Sequence, residues 1–113
     1  VVEAVTPATA RSAYLRVVRR STATPEGCLV YGGYRDRKGY SRVRVGAAIE
    51  YGHRVAVVAM TCKPIPEGMV VDHTCRNRAC VRYSHLEVVT PLLNTARGLS
   101  WGAHGARKKL EQS

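Results

Sequence analysis

Cys75, Cys80 and His85 fall within eleven residues of one another, spaced C-x4-C-x4-H. Thiolate and imidazole are the donors that zinc prefers, in a closed tetrahedral site. The four-residue gaps place these donors on a loop between strands rather than on one helix face. A fourth donor is needed, and Cys28, Cys62 and His104 are the candidates. A zinc ion would rigidify a loop too long and too polar to pack alone. Two disulfides among the four cysteines are the competing chemistry. No stretch reads as a secretory signal, so metal binding is the expectation.

A second set of residues, Asp72, His73, Asn77 and Asn94, is interleaved with the first. These types suit phosphodiester hydrolysis. A neutral imidazole, with an ordinary pKa of about 6.5, takes a proton from water near neutral pH. Carboxylate and amide oxygens suit a hard cation such as Mg2+, which keeps several waters and binds substrate phosphate. Such a cation neutralises the scissile phosphate and stabilises the departing 3′ oxygen. The bland alternatives are a hydrogen-bonded Asp-His pair, a turn residue at Asn77 and an exposed helix residue at Asn94.

The elements that must hold these groups are legible in part. Met69 to His73 reads as a strand and Leu86 to Val89 as its partner. Thr90-Pro91 signals a helix start, with a short helix to Arg97 and a stop at Gly98. Asn94 then lies on the first turns of that helix, facing the strand that ends at His73. Upstream, Thr6-Pro7 gives the same start signal for a helix to about Arg20. Ala10, Ala13, Tyr14, Val17 and Val18 share one of its faces, and Arg11, Arg16, Arg19 and Arg20 lie mostly elsewhere. That helix is either a DNA-contacting arm or an ordinary amphipathic helix. Residues 21–27 read as a loop, Cys28 to Tyr31 as a strand, and Tyr40 to Val45 as the second strand of a hairpin. In that strand Arg42 and Arg44 share one face, with Val43 and Val45 on the other. Ala47 to Met60 reads as a helix with an interior Gly52, and Pro64-Ile-Pro66-Glu-Gly68 as a break. Trp101, His104 and Arg107-Lys108-Lys109 fall in a basic tail.

The chain of 113 residues has room for one domain, and a domain this small benefits from a metal staple. Its 18 Lys and Arg against 8 Asp and Glu give a net charge of +10, the mark of a polyanionic partner. Arg outnumbers Lys by 14 to 4, which favours bidentate contacts to phosphate and guanine. No apolar run approaches the roughly 20 residues of a membrane-spanning helix, so nucleic acid is the expected partner rather than a membrane. Aromatic residues for stacking single-stranded bases are few, which disfavours an RNA-binding reading.

The string D-H-T-C-R-N-R-A-C-V-R-Y-S-H-L, followed by V-T-P-L-L-N-T-A-R-G, resembles the HNH endonucleases of bacteriophages, including the phage-type HNH homing endonucleases. It is also similar to the His-Cys box homing endonucleases, which share the ββα-metal, or His-Me finger, site. Upstream, Gly27-Cys28-Leu-Val-Tyr31 resembles the family's G-C-W-x-W. Gly39-Tyr40-Ser41-Arg42 resembles its G-Y-G-R, Gly52-His53-Arg54 its A-H-R, and Pro64 to Gly68 its P-I-P-x-G. The resemblance spans residues 27–98. It implies His73 as general base, Asn94 and Asp72 as ligands of a catalytic Mg2+ or Mn2+, and Asn77 as the residue that holds the loop behind His73. It implies one structural zinc per chain on Cys28, Cys75, Cys80 and His85, which leaves Cys62 a plain thiol where relatives carry Gly. The sequence departs from the family's C-V-N-P-x-H-L at Arg82-Tyr83, which removes a rigid turn ahead of His85. Both tryptophans of G-C-W-x-W are replaced, by Leu29 and Tyr31.

An Arg near the catalytic ion would stabilise charge on the phosphate, with Arg42 the first choice and Arg54 the second. His53 is a phosphate contact or a buried helix residue, the latter preferred. Arg35, Arg37, Lys38, Arg42, Arg44 and Arg54 are the candidates for tracking DNA. The expectation is therefore an α+β protein in which an N-terminal helix and an antiparallel β-hairpin pack on a zinc-stapled ββα-metal site. A basic arm (1–24), an HNH endonuclease domain (25–98) and a basic tail (99–113) are expected in that order. The expected activity is cleavage of double-stranded DNA to 5′-phosphate and 3′-hydroxyl ends, in the cytoplasm of a bacterial host and phage-encoded. A monomer would nick, and a homodimer would cut both strands. The rival is a zinc-stabilised DNA-binding module without catalysis.

Overall fold

Thr6 begins the first helix, α1 (Pro7–Arg19), as expected, and the start is doubly capped. The Thr9 N–H donates to Thr6 Oγ1, and the Thr6 N–H donates to Thr9 Oγ1. Ala10, Ala13 and Val17 are buried on the inner face, and Val18 stays largely exposed at its edge. The computed structural model of the chain describes residues 5–98, so the expected basic tail with Trp101, His104 and Arg107-Lys108-Lys109 lies outside the described residues.

Three antiparallel hairpins follow, and two differ from expectation. The segment read as a loop after α1 contains a short strand, β1 (Ser21–Ala23), which pairs with β2 (Leu29–Tyr31). The strand β3 (Arg42–Val45) does not pair with β2. Its partner is β4 (Ala48–Tyr51), across the two-residue turn Gly46-Ala47. Gly46 has φ 60, the glycine-favouring conformation a tight hairpin needs at its first turn position. The expected helix from Ala47 therefore opens as a strand and is helical only from Gly52. Alternation in β3 does hold, with Val43 and Val45 buried and Arg44 exposed.

The second helix, α2 (Gly52–Thr61), starts directly from β4. Gly52 is thus not an interior flaw but the first helical residue, and it permits a close approach. Its N–H donates to the Ser41 carbonyl at 3.0 Å, and a Cβ there would sit 2.3 Å from Ser41 Oγ. Val55, Val58 and Ala59 of α2 join Ala10, Ala13, Val17, Tyr31, Val43, Val45 and Val81 in one core. Because α1 shares that core and β1–β2 straddles residues 24 and 25, the first helix is packed as part of the same body. At its C-cap, Cys62 adopts φ 58, the conformation for which glycine is the usual choice.

The segment 64–69 breaks the chain as expected. Then β5 (Val70–His73) pairs with β6 (Leu86–Val89) in the register His73↔Leu86. A 3-10 turn at Tyr83–His85 leads into β6. Residues 91–98 form the helix α3, with Thr90 Oγ1 accepting from the Leu93 N–H at 3.1 Å. The outcome is a small α+β fold of helices and antiparallel hairpins, whose β5, β6 and α3 follow one another as strand, strand, helix.

Candidate active site and metal centre

The loop between β5 and β6 carries three of the four soft donors, and β2 delivers the fourth. Backbone bonds tie the two segments together: the Val81 N–H donates to the Leu29 carbonyl at 2.8 Å and the Tyr31 N–H to that of Ala79 at 3.4 Å. Cys28, one residue before β2, therefore faces the loop. Its Sγ, those of Cys75 and Cys80 and a ring nitrogen of His85 all lie within 4.8 Å of one another. His85 Nδ1 is 3.6 Å from both Cys28 Sγ and Cys80 Sγ. With zinc–sulfur and zinc–nitrogen bonds of about 2.3 and 2.0 Å, a tetrahedron has edges of roughly 3.5–3.8 Å, so the cluster fits such an ion. None of the four cysteines is in a disulfide. Burial, with the Cys75 and Cys80 sulfurs beside it, pushes the Cys28 thiol up to about 12. Three sulfurs this close ionise together only around a cation, which is what a bound metal supplies. The cluster can hold a metal such as zinc. Cys62, by contrast, is exposed at the far end of α2 and accepts from Arg11 Nη1 at 3.2 Å.

Beside β5 opens a cleft of about 1430 Å3, and Cys75 of the donor cluster is among its lining residues. Asp72, His73, Asn77 and Asn94 all line it. His73 is 6% exposed. Its Nε2 lies 3.1 Å from the Cys80 carbonyl oxygen. A carbonyl only accepts, so Nε2 carries the proton and Nδ1 keeps the lone pair in the neutral ring. Burial lowers the His73 pKa, against the opposing pull of the Cys80 carbonyl and of Asp72, and this favours the neutral form that a base requires. Asn77 Oδ1 accepts from the Ala79 N–H at 3.0 Å and its carbonyl accepts from the Cys80 N–H at 3.0 Å. The side chain thus braces the loop that supplies the His73 partner.

Asp72 is 5% exposed and fully engaged. Arg76 Nη1 meets one carboxylate oxygen at 3.1 Å and Arg97 Nη1 the other at 3.2 Å. Arg97, on α3, also pairs with Glu87 at 2.8 Å. Arg97 joins α3 to β5 and β6 and was not singled out from the sequence. Its place one helical turn after Asn94 is the only signal that could have marked it. Arg76 and Arg78 were missed too, although they lie inside the motif. Arg76 adopts φ 62, and Arg78 Nη1 donates to the Lys38 carbonyl at 3.1 Å.

Of the basic residues chosen from the sequence, Arg35 and Arg54 line the cleft. Arg42 is not among its lining residues; it lies 3.7 Å from Asp36 and 4.5 Å above the Tyr51 ring. Arg37, Lys38 and Arg44 are exposed. His53, in contact with His73 at 4.5 Å between ring centroids, lines the cleft from α2. Among the described residues, no helix is long and apolar enough to cross a membrane.

Comparison with known proteins agrees with this arrangement. The family model for the HNH endonuclease matches residues 50–96, the stretch from β4 into α3. Protein 7.7 of Escherichia phage T7 is 31% identical over 87 residues, 77% of this chain and 66% of the relative. Protein 2.8 of the same phage is 32% identical over 82 residues, 71% of this chain and 55% of the relative. An uncharacterized gene 5.3 protein of Enterobacteria phage T3 is 33% identical over 72 residues, 58% of this chain and 70% of the relative. The chain therefore spans just under two thirds of the first relative and about half of the second. No solved structure gives a significant match. With the cleft, the donor cluster, the matched segment and these phage relatives in agreement, the chain belongs to the HNH endonuclease family.

Proposed function

We propose that the chain cleaves double-stranded DNA by metal-dependent hydrolysis, with His73 as the general base and Asn94 and Asp72 as ligands of a divalent ion. The observation that carries this reading is the His73 ring, whose Nε2 is committed to the Cys80 carbonyl while the ring lines a cleft shared with Asp72 and Asn94. His73 Nδ1 takes a proton from water, the hydroxide oxygen bonds to phosphorus as the bond to the 3′ oxygen breaks, and the departing 3′ oxygen takes up a proton from a second water. The products are a 5′-phosphate and a 3′-hydroxyl. A carboxylate and an amide on one cleft fit Mg2+ or Mn2+, which coordinate few protein oxygens together with substrate phosphate; bound there, such an ion would neutralise charge on the scissile phosphate. Arg54 and Arg35, which line the same cleft, meet the phosphate, and exposed Arg37, Lys38 and Arg44 track the flanking backbone. Arg54 is thus better supported than Arg42 as the cation beside the reacting group. Zinc on Cys28, Cys75, Cys80 and His85 is structural and holds the loop that carries Asn77 and the Cys80 carbonyl.

One chain carries one His73 and nicks; a twofold dimer would cut both strands. The setting is the cytoplasm of a phage-infected bacterium. The test is conversion of supercoiled plasmid by zinc-loaded protein, first in EDTA buffer and then with Mg2+ or Mn2+, with end-labelling of the products. Metal-dependent nicking or linearisation with ligatable 5′-phosphate ends is expected, and cleavage that ignores the divalent ion would contradict the reading.

A second reading, a zinc-stapled DNA-binding module without catalysis, is favoured by one observation: both oxygens of Asp72 already face arginines. Two guanidinium charges held at that carboxylate oppose a divalent cation beside it. Binding of Mn2+ to the zinc-loaded protein in the presence of duplex DNA, lost in Asp72→Asn, separates the two.

A further inference from the structure

We propose that His53 is a positioning residue for the base: its flat ring, seated against His73, fixes the plane in which Nδ1 meets water. This rests on the reading of His73 given above. His53 is the second residue of α2 and only 7% exposed. Its ring centroid lies 4.5 Å from that of His73, at an interplanar angle of 55°. Behind it stand Tyr51 at 5.3 Å and Tyr40 at 5.5 Å, and Tyr40 also reaches His73 at 6.0 Å.

The need for such a wall follows from the weakness of the other restraint. Among the described residues the His73 ring makes one hydrogen bond, Nε2–H to the Cys80 carbonyl. A carbonyl oxygen accepts over a broad range of directions, and the outer torsion of histidine is itself broad. The bond therefore sets where one edge of the ring points and leaves its plane loosely defined. A second ring packed against the first narrows that freedom, and a base displaced by about 1 Å can lose about 100-fold in rate.

His53 is suited to this role and not to proton transfer. Its Nδ1 is buried and meets no hydrogen-bond partner among the described residues. Burial, then the His73 ring and the neighbouring Arg54, lower its pKa to about 3. It therefore adds no charge beside His73 near neutral pH. Gly52 sets the contact, because its bare Cα lets the start of α2 close on Ser41.

The test compares zinc-loaded wild type, His53→Ala and His53→Phe, with two readouts. In the 15N NMR spectrum at neutral pH, wild type and His53→Phe should show the His73 Nε2–H protected from exchange with water, and His53→Ala should lose it. In plasmid cleavage, His53→Ala should lower kcat roughly 10- to 100-fold with KM for DNA and zinc content unchanged, and His53→Phe should recover most of that loss. If His53→Ala does not take up zinc, His53→Leu, which fills the space without a flat face, is measured instead with the same expectation. A protected Nε2–H and an unchanged kcat in the variant lacking the ring would overturn the proposal. So would equal losses in Phe and Ala, which would assign the effect to a ring nitrogen. If wild type does not cleave DNA, the proposed function falls, and the NMR comparison still decides whether His53 holds the ring.

Discussion

Between His73 and Leu86 the chain serves two neighbouring sites, and Cys75 touches both. On one side, Cys28, Cys75, Cys80 and His85 turn their donors toward one another, at spacings a tetrahedral ion accepts. On the other, His73, Asp72 and Asn94 face an open cleft whose lining also carries Arg35, Arg54, Arg76 and Arg78. The first is a closed set of soft donors that satisfies itself once a metal is present. The second is an open set of hard donors and cations, a lining suited to a polyanion. Cys80 belongs to both, its sulfur to the cluster and its carbonyl to His73. A metal held by the cluster would thereby also fix the carbonyl that the His73 ring meets.

The largest expected effect falls on the closed side. A structural zinc site is worth about 10–16 kcal/mol in small zinc-binding peptides, as much as the whole stability of a typical domain, about 5–15 kcal/mol. Cys80→Ser should therefore cost zinc and fold together, read by metal analysis and circular dichroism. A folded, zinc-free variant would show that the loop packs without its staple and would dissolve the contrast between the two sides.

The next effect lies where α2 meets the cleft. Gly52→Ala places a methyl group 2.3 Å from Ser41 Oγ, and such overpacking costs about 1–3 kcal/mol. The resembling motifs, G-Y-G-R and A-H-R, carry Gly and Ala at these two places. Ser41→Gly combined with Gly52→Ala should accordingly regain most of the lost stability in thermal melts. Simple addition of the two single effects would mean that the residues are not coupled.

A smaller effect depends on pH. Folded His53 stays neutral down to about 3, whereas in the unfolded chain it protonates near 6.5. Its contribution is fully present above 6.5 and is lost as pH falls toward 3, because the unfolded state then binds the extra proton. At one unit below 6.5 the loss is about 1.4 kcal/mol. Urea unfolding of wild type and His53→Phe should diverge by about that amount over that first unit, with wild type the more acid-sensitive. Parallel curves would mean that His53 is not held neutral.

The smallest effect is on the exposed rim. Arg37→Ala should lower the slope of log binding constant against log salt by about 0.9, leaving fold and zinc content intact. An unchanged slope would remove Arg37 from the DNA path.

The legibility of these features followed their range along the chain. Thr6-Pro7, Thr90-Pro91 and Pro64 to Gly68 act locally, and each marks a real boundary. The donors Cys75, Cys80 and His85 share one loop, so their spacing carried the chemistry. Cys28 is joined to them only through the bonds of β2 to residues 79 and 81, and it needed the family resemblance to be chosen over Cys62. The A-A-I-E-Y stretch has helix-forming residues, yet pairing of Val43 with Glu50 and Arg44 with Ile49 made it a strand. Three-residue β1 is too short to show a period. The bond from Arg97 to Asp72 spans 25 residues and obeys no spacing rule.

The most direct measurement is cleavage of supercoiled plasmid with Mg2+ by wild type and His73→Ala, at equal zinc content and equal affinity for duplex DNA. General-base catalysis contributes about 100- to 10,000-fold, so His73→Ala should bind DNA normally and lose at least 100-fold in rate. Cleavage by His73→Ala at the wild-type rate would contradict the assignment of the base and, with it, the account of the cleft.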